Sequence, residues 1–309
     1  LGPDFEFILW DEVAYSRAAR NPLAAGIVAR TILRHGTPEQ RKRWLPPIRT
    51  GEIHFALGYS EPEAGSDLAN VRCRAERRGD VYVVNGEKCW QSYAQDMDYL
   101  WLLCRTGSQE SRGAGLTLLM VDMGAPGVTV APLPTLDGDQ LNEVRLEGVE
   151  VPIGHRVGPE DGAWTIMGEA LADERHIQFP PGRVRRDLEE VVAWVGDQGL
   201  SREPLVRARL GELAVRVFEV EVQALRVLDA MQRGLPAVAE AAANKVLHTV
   251  VAQEIARAAV DLGGPAALLA DSRMQLLWRQ SLWETIGGGT SEIMRGVVAR
   301  QALGLPSPR

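Results

Sequence analysis

The stretch ETIGGGTSEIM, Glu284–Met294, places three consecutive glycines directly before a segment with helical character. Glycine loses more backbone freedom on folding than any other residue, so a run of three needs a reason. Backbone N–H groups at a helix N-terminus bind anions such as phosphate, and glycines let a ligand approach them closely. No lysine follows the run, which excludes a Walker-type phosphate loop. The alternatives are a plain helix-entry loop and a ligand-binding loop, and three glycines favour the ligand.

The chain after Gly158 has a helical repeat on both sides of this loop. Apolar residues recur every three or four positions along 210–228, which predicts a long amphipathic helix that stops at the Gly-Leu-Pro of residues 234–236. Further helices are predicted at 240–262, before a Gly-Gly-Pro stop, and at 291–303. The C-terminal part is therefore predicted to be a helical bundle.

Residues from about 53 to 155 instead have a period of two. Apolar and polar residues alternate along 71–76, and Asn85-Gly86 after an apolar run is the strongest short signal for a hairpin turn. Further strands are predicted at 99–105, 116–122, 128–132 and 143–146. Many short strands with turns at this spacing predict a compact barrel or sandwich.

Residues 1 to about 52 contain alanine-rich helical stretches. Thr37 is suited to cap a helix that has Pro38 in its first turn, and Pro46-Pro47 is expected to end that helix. The order of elements is therefore helices, a small β domain and a helical bundle. This α+β chain is predicted to divide into domains at 1–52, 53–158 and 159–309.

Composition excludes several classes of function. The 309 residues carry 34 Lys plus Arg against 41 Asp plus Glu, a net charge of −7 without a basic block, so no nucleic acid partner is expected. No apolar run approaches the roughly 20 residues that cross a bilayer, and no secretory leader is evident, so no membrane partner and a cytoplasmic location are expected. The three cysteines are expected to be buried and unpaired. The five histidines lack metal-ligand spacing, so no metal is expected.

The stretch SEPEAGSD, Ser60–Asp67, lies near the start of the β region, which begins at about residue 53. Ser60, Ser66 and the backbone around Gly65 offer small donors that a ligand could approach closely. The alternative is an ordinary surface loop rich in turn residues.

The stretch NGEKCWQS, residues 85–92, places Trp90 and Ser92 two positions apart, on one face of a strand. A flat indole beside a hydroxyl suits an aromatic ring that needs stacking and one hydrogen bond. The alternative is that Trp90 packs in the core, which is the commoner use of a tryptophan.

The stretch ALADERHIQ, Ala170–Gln178, begins the helical region and carries Glu174 and Arg175. A carboxylate at this place could act as a general base. The alternative is an exposed helix face with alternating charge.

Taken together, SEPEAGSD, NGEKCWQS and GGTSEIMRGVVARQALGLP resemble the acyl-CoA dehydrogenase family in its order and spacing, along nearly the whole chain. The resemblance implies an N-terminal helical domain, incomplete here, a middle β-barrel and a C-terminal four-helix bundle. It also implies that FAD is bound without a Rossmann fold. The implied reaction is α,β-dehydrogenation of an acyl-CoA thioester, with electrons passed to an electron-transfer flavoprotein.

The resemblance further implies roles for single residues. The hydroxyls of Ser60 and Ser92 match groups that bond the flavin ring, and Trp90 matches the indole that flanks it. The residues expected at the cofactor are Ser60, Gly65, Ser66, Trp90, Ser92, Thr290 and Glu292. Those expected at the substrate are Ser66, Arg175 and Gly289.

The catalytic base departs from the family's usual pattern. Most members read Tyr-Glu-Gly-Thr where this chain has Gly-Gly-Gly-Thr at 287–290, and that Glu is their base. Gly288 keeps a backbone N–H donor for the thioester carbonyl and lacks the carboxylate. A minority of the family places the base on an early helix of the C-terminal domain, directly before an Arg, and Glu174-Arg175 matches that position. Glu174 is therefore the expected base, and the bare loop is expected to widen the acyl pocket for bulky or branched groups.

Two further departures concern a partner. Family homotetramers hold the adenosine end of FAD with an R-x-x-F-G stretch and a Gln of a neighbouring subunit. This chain has QFPPGRVRRDLEEVV, residues 178–192, and Val260 at the matching places. It resembles the base-bearing subunit of α2β2 heterotetramers that degrade steroid side chains, so a homologous subunit is the expected partner, otherwise a homotetramer or homodimer. The remaining alternatives are a non-catalytic subunit that completes a homologous partner's site, and a flavin oxidase or monooxygenase.

Overall fold

The computed structural model describes residues 2–19 and 23–306, without the side chains of residues 171–177. The chain forms two compact units. We call Asn21–Glu174 the sheet unit, and Leu1–Arg20 together with Arg175–Arg309 the helical unit. No helix among the described residues is long and apolar enough to span a membrane.

Within the described residues, the sheet unit has eight strands: β1 Phe55–Gly58, β2 Arg74–Arg78, β3 Val81–Ser92, β4 Tyr99–Arg105, β5 Leu116–Asp122, β6 Val128–Pro134, β7 Gln140–Pro152 and β8 Arg156–Val157. They form one sheet in the order β6-β7-β3-β2-β4-β5-β8, and β1 pairs in parallel with β4. The bounds of β4 and β5 agree with the predicted strands, whereas β7 extends well beyond the predicted 143–146.

The predicted hairpin turn at Asn85-Gly86 is wrong, because β3 runs straight through both residues. The turn that joins β2 to β3 lies at Gly79-Asp80 instead. Gly86 has a φ of 151° at a register shift between β3 and β7, and a Cβ there would lie 2.6 Å from Cys73 Cα. Glycine is therefore required at position 86 for close approach of two backbones in a bulge, not for a turn.

The core of the sheet unit lies around β4 and β5, which are buried along nearly their whole length. Continuous apolar sequence is typical of strands covered on both faces. The largest buried side chain, Trp101, donates its indole N–H to the hydroxyl of Tyr59 at 3.2 Å. Cys73, Cys89 and Cys104 are buried free thiols, which confirms the prediction.

Helices of the sheet unit precede β1. A π-helical turn, Leu23–Val28, leads into α2 Ala29–His35, and α3 Pro38–Thr50 follows. The cap predicted at Thr37 is confirmed, since its hydroxyl accepts from Gln40 N at 3.2 Å and the Gln40 side chain accepts from Thr37 N at 3.0 Å.

The predicted stop at Pro46-Pro47 is wrong, because α3 continues through both prolines to Thr50. The helix ends only where Gly51 adopts a φ of 74°. Trp44 and Ile48, one turn apart on α3, are buried in the core of the sheet unit. Their burial offsets the hydrogen bonds that two prolines cannot make.

The helical unit contains α1 Pro3–Tyr15, α5 Pro181–Asp197, α6 Pro204–Gln232, α7 Val238–Gly263, α8 Arg273–Glu284 and α9 Ser291–Gln301, while α4 Ala163–Gln178 crosses from one unit to the other. The predictions for α6, α7 and α9 are confirmed to within a few residues, whereas α5 and α8 were not predicted. Apolar faces of α5, α6, α7 and α8 form the core of this unit.

Ion pairs link α5 to α8 and to Arg17, which follows α1, in the helical unit. The carboxylate of Glu190 on α5 accepts from Arg17 at 2.8 Å, from Arg186 at 3.1 Å and from Arg273 at 2.9 Å. The Glu190 side chain is 17% exposed. A network of several charges around one mostly buried carboxylate stabilises the fold more than an isolated ion pair on the surface does.

The α+β fold class is confirmed, with N-terminal helices, a middle sheet domain and a C-terminal helical domain. The division at 1–52, 53–158 and 159–309 stays a prediction. The two compact units are defined by contacts within each unit rather than by these boundaries, and α1 packs with α5 and α6 of the helical unit.

Candidate functional site

The loop Ser60–Asp67 leaves β1 and closes on itself through a short bridge. Glu61 N donates to Ala64 O at 3.2 Å, and Ala64 N donates to Glu61 O at 3.1 Å. Gly65 and Ser66 stand exposed beyond the bridge, and Ser60 is half-buried beneath it. The loop is therefore a defined turn that presents small residues to solvent.

A buried ion pair fixes this loop from below. Lys88 on β3 is fully buried, and its ammonium donates to Glu61 Oε1 at 2.8 Å and to Tyr59 O at 2.9 Å. The Glu61 carboxylate also accepts from Arg72 N at 2.7 Å and from Cys73 N at 2.9 Å. Buried charges of this kind persist only when hydrogen bonds satisfy them, as they do here.

A second buried cation holds the far end of the same segment. The Arg105 guanidinium donates to the carbonyls of Val71 and Ala69, each at 2.8 Å. Its remaining hydrogen bonds reach the carbonyls of Ser108 and Arg112, both at 2.9 Å. Burial lowers the pKa of Arg105 from its ordinary value, although Glu61 opposes this shift. Lys88 and Arg105 were not predicted, because Lys88 bonds residues 27 and 29 positions away and Arg105 bonds carbonyls 34 and 36 positions away.

Trp90 lies on β3 at a second bulge, where pairing with β7 shifts between Cys89 and Gln91. Its φ is 68°, in the left-handed region, and its side chain is 49% exposed. The core-packing alternative for Trp90 is therefore wrong for the described chain. A left-handed backbone at a bulky non-glycine residue is uncommon and is frequent at ligand sites.

Ser60, Trp90 and Ser92 are brought together by β3. Trp90 and Ser92 are both exposed, on either side of the buried Gln91. Cys89 N donates to Ser60 O at 3.0 Å, which joins the Ser60 backbone to the same strand. The sheet unit thus presents the exposed indole of Trp90, with Ser92 two positions after it on β3 and Ser60 bonded to Cys89, the residue before it.

The glycine loop of the helical unit connects α8 to α9. Gly288 and Gly289 have φ values of 68° and 94°, which other residues rarely adopt. A Cβ at Gly288 would lie 2.7 Å from Gln178 Oε1, and one at Gly289 would lie 2.6 Å from Met294 Cε. The left-handed backbone therefore favours glycine at both positions, whereas the nearby atoms are the ends of flexible side chains.

The loop ends at a well-formed helix cap. The Thr290 hydroxyl accepts from Ile293 N at 3.2 Å, and Glu292 is an exposed residue of the first turn of α9. Since Thr290 caps the helix, its hydroxyl is already engaged within the helical unit. The placement of Thr290 and Glu292 at a cofactor stays a prediction.

Buried polar groups lie under the glycine loop. Among the described residues, Gln178 Oε1 and Asn244 Oδ1 are buried and accept no hydrogen bond. Asn244 donates to Phe179 O at 3.1 Å, and Phe179 contacts the space beside Gly288. Lys245, on the next position of α7, is fully buried.

A partly buried salt bridge between α5 and α8 lies next to the same loop in sequence. The Arg183 guanidinium donates to the Glu284 carboxylate, and Glu284 is the last residue of α8. Burial raises the pKa of Glu284, although Arg183 opposes the rise. Burial lowers the pKa of Arg183, but Glu284 and Asp187 outweigh it, so the net shift is upward. This pair could not be predicted from local sequence patterns, because 101 positions separate its members.

Glu174 and Arg175 lie on α4, and their side chains are outside the described residues. Their expected roles stay predictions, as do those of the other predicted site residues. Among the described residues, no group of three or more His, Cys, Asp and Glu side chains could hold a metal ion.

Three domain families match the sequence in order. They are described as the acyl-CoA dehydrogenase N-terminal domain at residues 5–52, the middle domain at 56–149 and the C-terminal domain at 161–303.

The relatives extend this match to whole proteins. The acyl-CoA dehydrogenase FadE26 of Mycobacterium tuberculosis is 36% identical, over 97% of this chain and 80% of the relative. The solved ChsE4-ChsE5 complex from Mycobacterium tuberculosis contains a chain that is 34% identical with a TM-score of 0.91, covering 100% of this chain and 84% of that chain. The solved Tcur3481-Tcur3483 steroid ACAD contains a chain that is 32% identical with a TM-score of 0.95, and the match covers 100% of this chain and 83% of that chain.

Proposed function

The chain belongs to the acyl-CoA dehydrogenase family of FAD-dependent oxidoreductases that act on CH–CH groups, and from this membership we propose that Glu174 is its base. The proposed reaction is α,β-dehydrogenation of an acyl-CoA thioester with a bulky or branched acyl group. The observation that carries the proposal is Gly288, which leaves the loop without a carboxylate at the position where most of the family has its base.

The residues of β3 fit the flavin ring. An indole that is 49% exposed on a left-handed backbone offers a flat face, and Ser60 and Ser92 offer hydroxyls near it. FAD supplies an acceptor for the β-hydrogen as hydride. Ser60, Trp90 and Ser92 would hold and orient its ring, while Gly65 and Ser66 would leave room for phosphate groups. Thr290 and Glu292 are the proposed contacts from α9.

The place of Glu174 on α4 supports its role. Gln178 lies next to Gly288, and Glu174 precedes Gln178 by four residues on the same helix. Residues four apart share one helix face, so α4 directs position 174 to the side of the helix that carries Gln178. A carboxylate on that side would replace the one that the loop lacks.

The glycine loop would stabilise the negative charge that develops on the thioester oxygen. An α-proton is too weakly acidic for a carboxylate to remove in water, so fixed donors and exclusion of water are needed. The backbone N–H of Gly288 is available in this role because position 288 is exposed and not part of a helix. Arg175 and Gly289 are the proposed neighbours of the substrate, together with Ser66.

A bulky or branched acyl group is the proposed substrate, since residues 287–289 of the loop carry no side chains. The steroid ACAD of known structure has a similar chain, which supports a polycyclic or branched acyl group here. A homologous subunit is the proposed partner, since the two solved structures reported above are named for two proteins each. An electron-transfer flavoprotein is the proposed electron acceptor.

The base is tested by Glu174→Gln. Proton abstraction requires the carboxylate, so turnover of a branched acyl-CoA should fall by about 1,000-fold or more while flavin content is unchanged. Glu169→Gln is the matched control, because Glu169 lies on α4 and its side chain is 47% exposed.

Unchanged turnover in Glu174→Gln would refute the proposal. It would favour the alternative in which this chain completes the site of a homologous partner without a base of its own.

A further inference from the structure

We propose that the buried pair of Lys88 and Glu61 is a positioning device that sets Ser60 against Trp90 and Ser92. This inference rests on the proposed function, because it assigns the exposed face of β3 to the flavin ring. Neither Lys88 nor Glu61 is exposed enough to touch a ligand, with side-chain exposures of 0% and 8%. They would act only through the residues that they hold.

Lys88 joins the two elements that carry the proposed ring contacts. It belongs to β3, two positions before Trp90 and four before Ser92. Its ammonium reaches the residues on both sides of Ser60, at 2.9 Å to Tyr59 O and 2.8 Å to Glu61 Oε1. The backbone of Ser60 is therefore fixed at its preceding and its following residue by one cation.

Glu61 extends the restraint to the next segment. Its two oxygens accept from the amides of Arg72 and Cys73, so the loop is fastened before β2 begins. The carboxylate thus has three donors in a buried place, which uses most of its acceptor capacity. Such a network has few alternative arrangements, and it fixes one geometry for the loop.

A network of this kind matters for ligand contacts more than for stability. A buried ion pair gains little over an apolar pair of the same size, but removal of one partner leaves an unpaired buried charge. Misplacement of contact groups by about 1 Å can reduce function by about 100-fold. The two roles can be separated, since an uncharged pair can restore stability without restoring the hydrogen bonds.

The test compares Lys88→Met with the double variant Lys88→Met/Glu61→Gln. Lys88→Met leaves the Glu61 carboxylate unpaired, so the melting temperature should fall and amide exchange at Arg72 and Cys73 should accelerate by about tenfold or more. The double variant should recover most of the melting temperature. Its exchange should stay fast, because a Gln side chain has one acceptor oxygen for two amides.

Ring binding is measured with lumiflavin, which carries the flavin ring without the ribityl, phosphate and adenosine groups. Quenching of its fluorescence by the full chain gives the dissociation constant. We expect both variants to bind lumiflavin about tenfold or more weakly than the unchanged chain. Arg112→Met is the matched control, because Arg112 forms an exposed pair with Asp67 of the same loop. It should bind within about twofold of the unchanged chain.

Three results would overturn these statements separately. Unchanged amide exchange in Lys88→Met would refute the restraint of the loop. Full recovery of lumiflavin affinity in the double variant would make the pair purely structural. An unchanged chain that does not quench lumiflavin would refute the proposed ring face itself, while the exchange data would still decide whether Lys88 holds the loop.

Discussion

Replacement of Glu190 by Gln should reduce the stability of the helical unit in a pH-dependent way. Burial opposes ionisation of Glu190, but hydrogen bonds and charges of Arg17 and Arg273 outweigh it and lower its pKa from 4.5 to about 2. Glutamine keeps the size of the side chain and one acceptor, and it removes the charge. The three arginines that donate to Glu190 would then lose the negative charge that they surround.

The size of the effect follows from the pKa. A tenfold change in proton affinity corresponds to about 1.4 kcal/mol, so the full effect is on the order of 3 kcal/mol. The Glu190 side chain is 17% exposed and that of Arg17 is 29% exposed, so solvent screens part of it. We therefore expect Glu190→Gln to lower the free energy of unfolding by about 2 kcal/mol at neutral pH.

The sign of the pH dependence follows from the lowered pKa. The ionised carboxylate contributes its full stabilisation above its ordinary pKa of 4.5, and the contribution is lost as pH falls toward about 2. The difference between the unchanged chain and Glu190→Gln should therefore shrink on acidification. Urea denaturation followed by circular dichroism, at several pH values between about 7 and 3, measures it.

The control is Glu212→Gln, which removes an exposed pair with Arg209 on α6. It should cost less than about 0.5 kcal/mol at any pH. A loss in Glu190→Gln no larger than in this control would refute the reasoning. So would a difference that stays constant as the pH is lowered.

Three further predictions concern the sheet unit. Gly86→Ala should cost about 1–3 kcal/mol by overpacking, because its Cβ would meet the Cys73 backbone, and thermal melting would show the loss. Burial raises the pKa of Cys73 to about 11 and that of Cys104 well above 9. In the folded chain both thiols should therefore react with an aromatic disulfide at about pH 8 at least about 100-fold more slowly than in the chain unfolded by urea. Trp90→Ala should leave the melting temperature nearly unchanged, because the indole is 49% exposed, yet weaken lumiflavin binding by about tenfold or more. Trp164→Ala, at 43% exposure, is its control for lumiflavin binding and should leave the affinity unchanged.

Periodicity was sufficient for part of the regular elements, although it missed α5 and α8. The strands β4 and β5 were predicted at their observed bounds, because unbroken apolar sequence needs only local reading. Asn85-Gly86 misled because a hairpin turn and a bulge favour the same residues, and the choice between them depends on Cys73 across the sheet. Pro46-Pro47 misled because burial of neighbouring residues, a tertiary effect, kept α3 intact.

The site was less accessible to sequence reasoning. Motifs that resemble a family pattern predicted Ser60, Trp90 and the glycine loop as site residues, and their roles stay predictions. The residues that hold the loop were missed. Lys88 and Glu61 are 27 positions apart, and a charged residue on an alternating strand is ordinarily assigned to the solvent face. Only the fold reveals that this lysine points into the sheet unit.

The burial of two lysines limits which amines of the protein can be acylated. The sequence contains three lysines, and two of them, Lys88 and Lys245, are fully buried. Lys42, on α3, is exposed and is thus the one lysine amine that amine-directed labels and cross-linkers should readily modify. Thioesters acylate free amines slowly and without an enzyme. A protein that handles acyl-CoA and buries two of its three lysines offers few amines for that side reaction, while its arginines maintain positive charge without a nucleophilic amine.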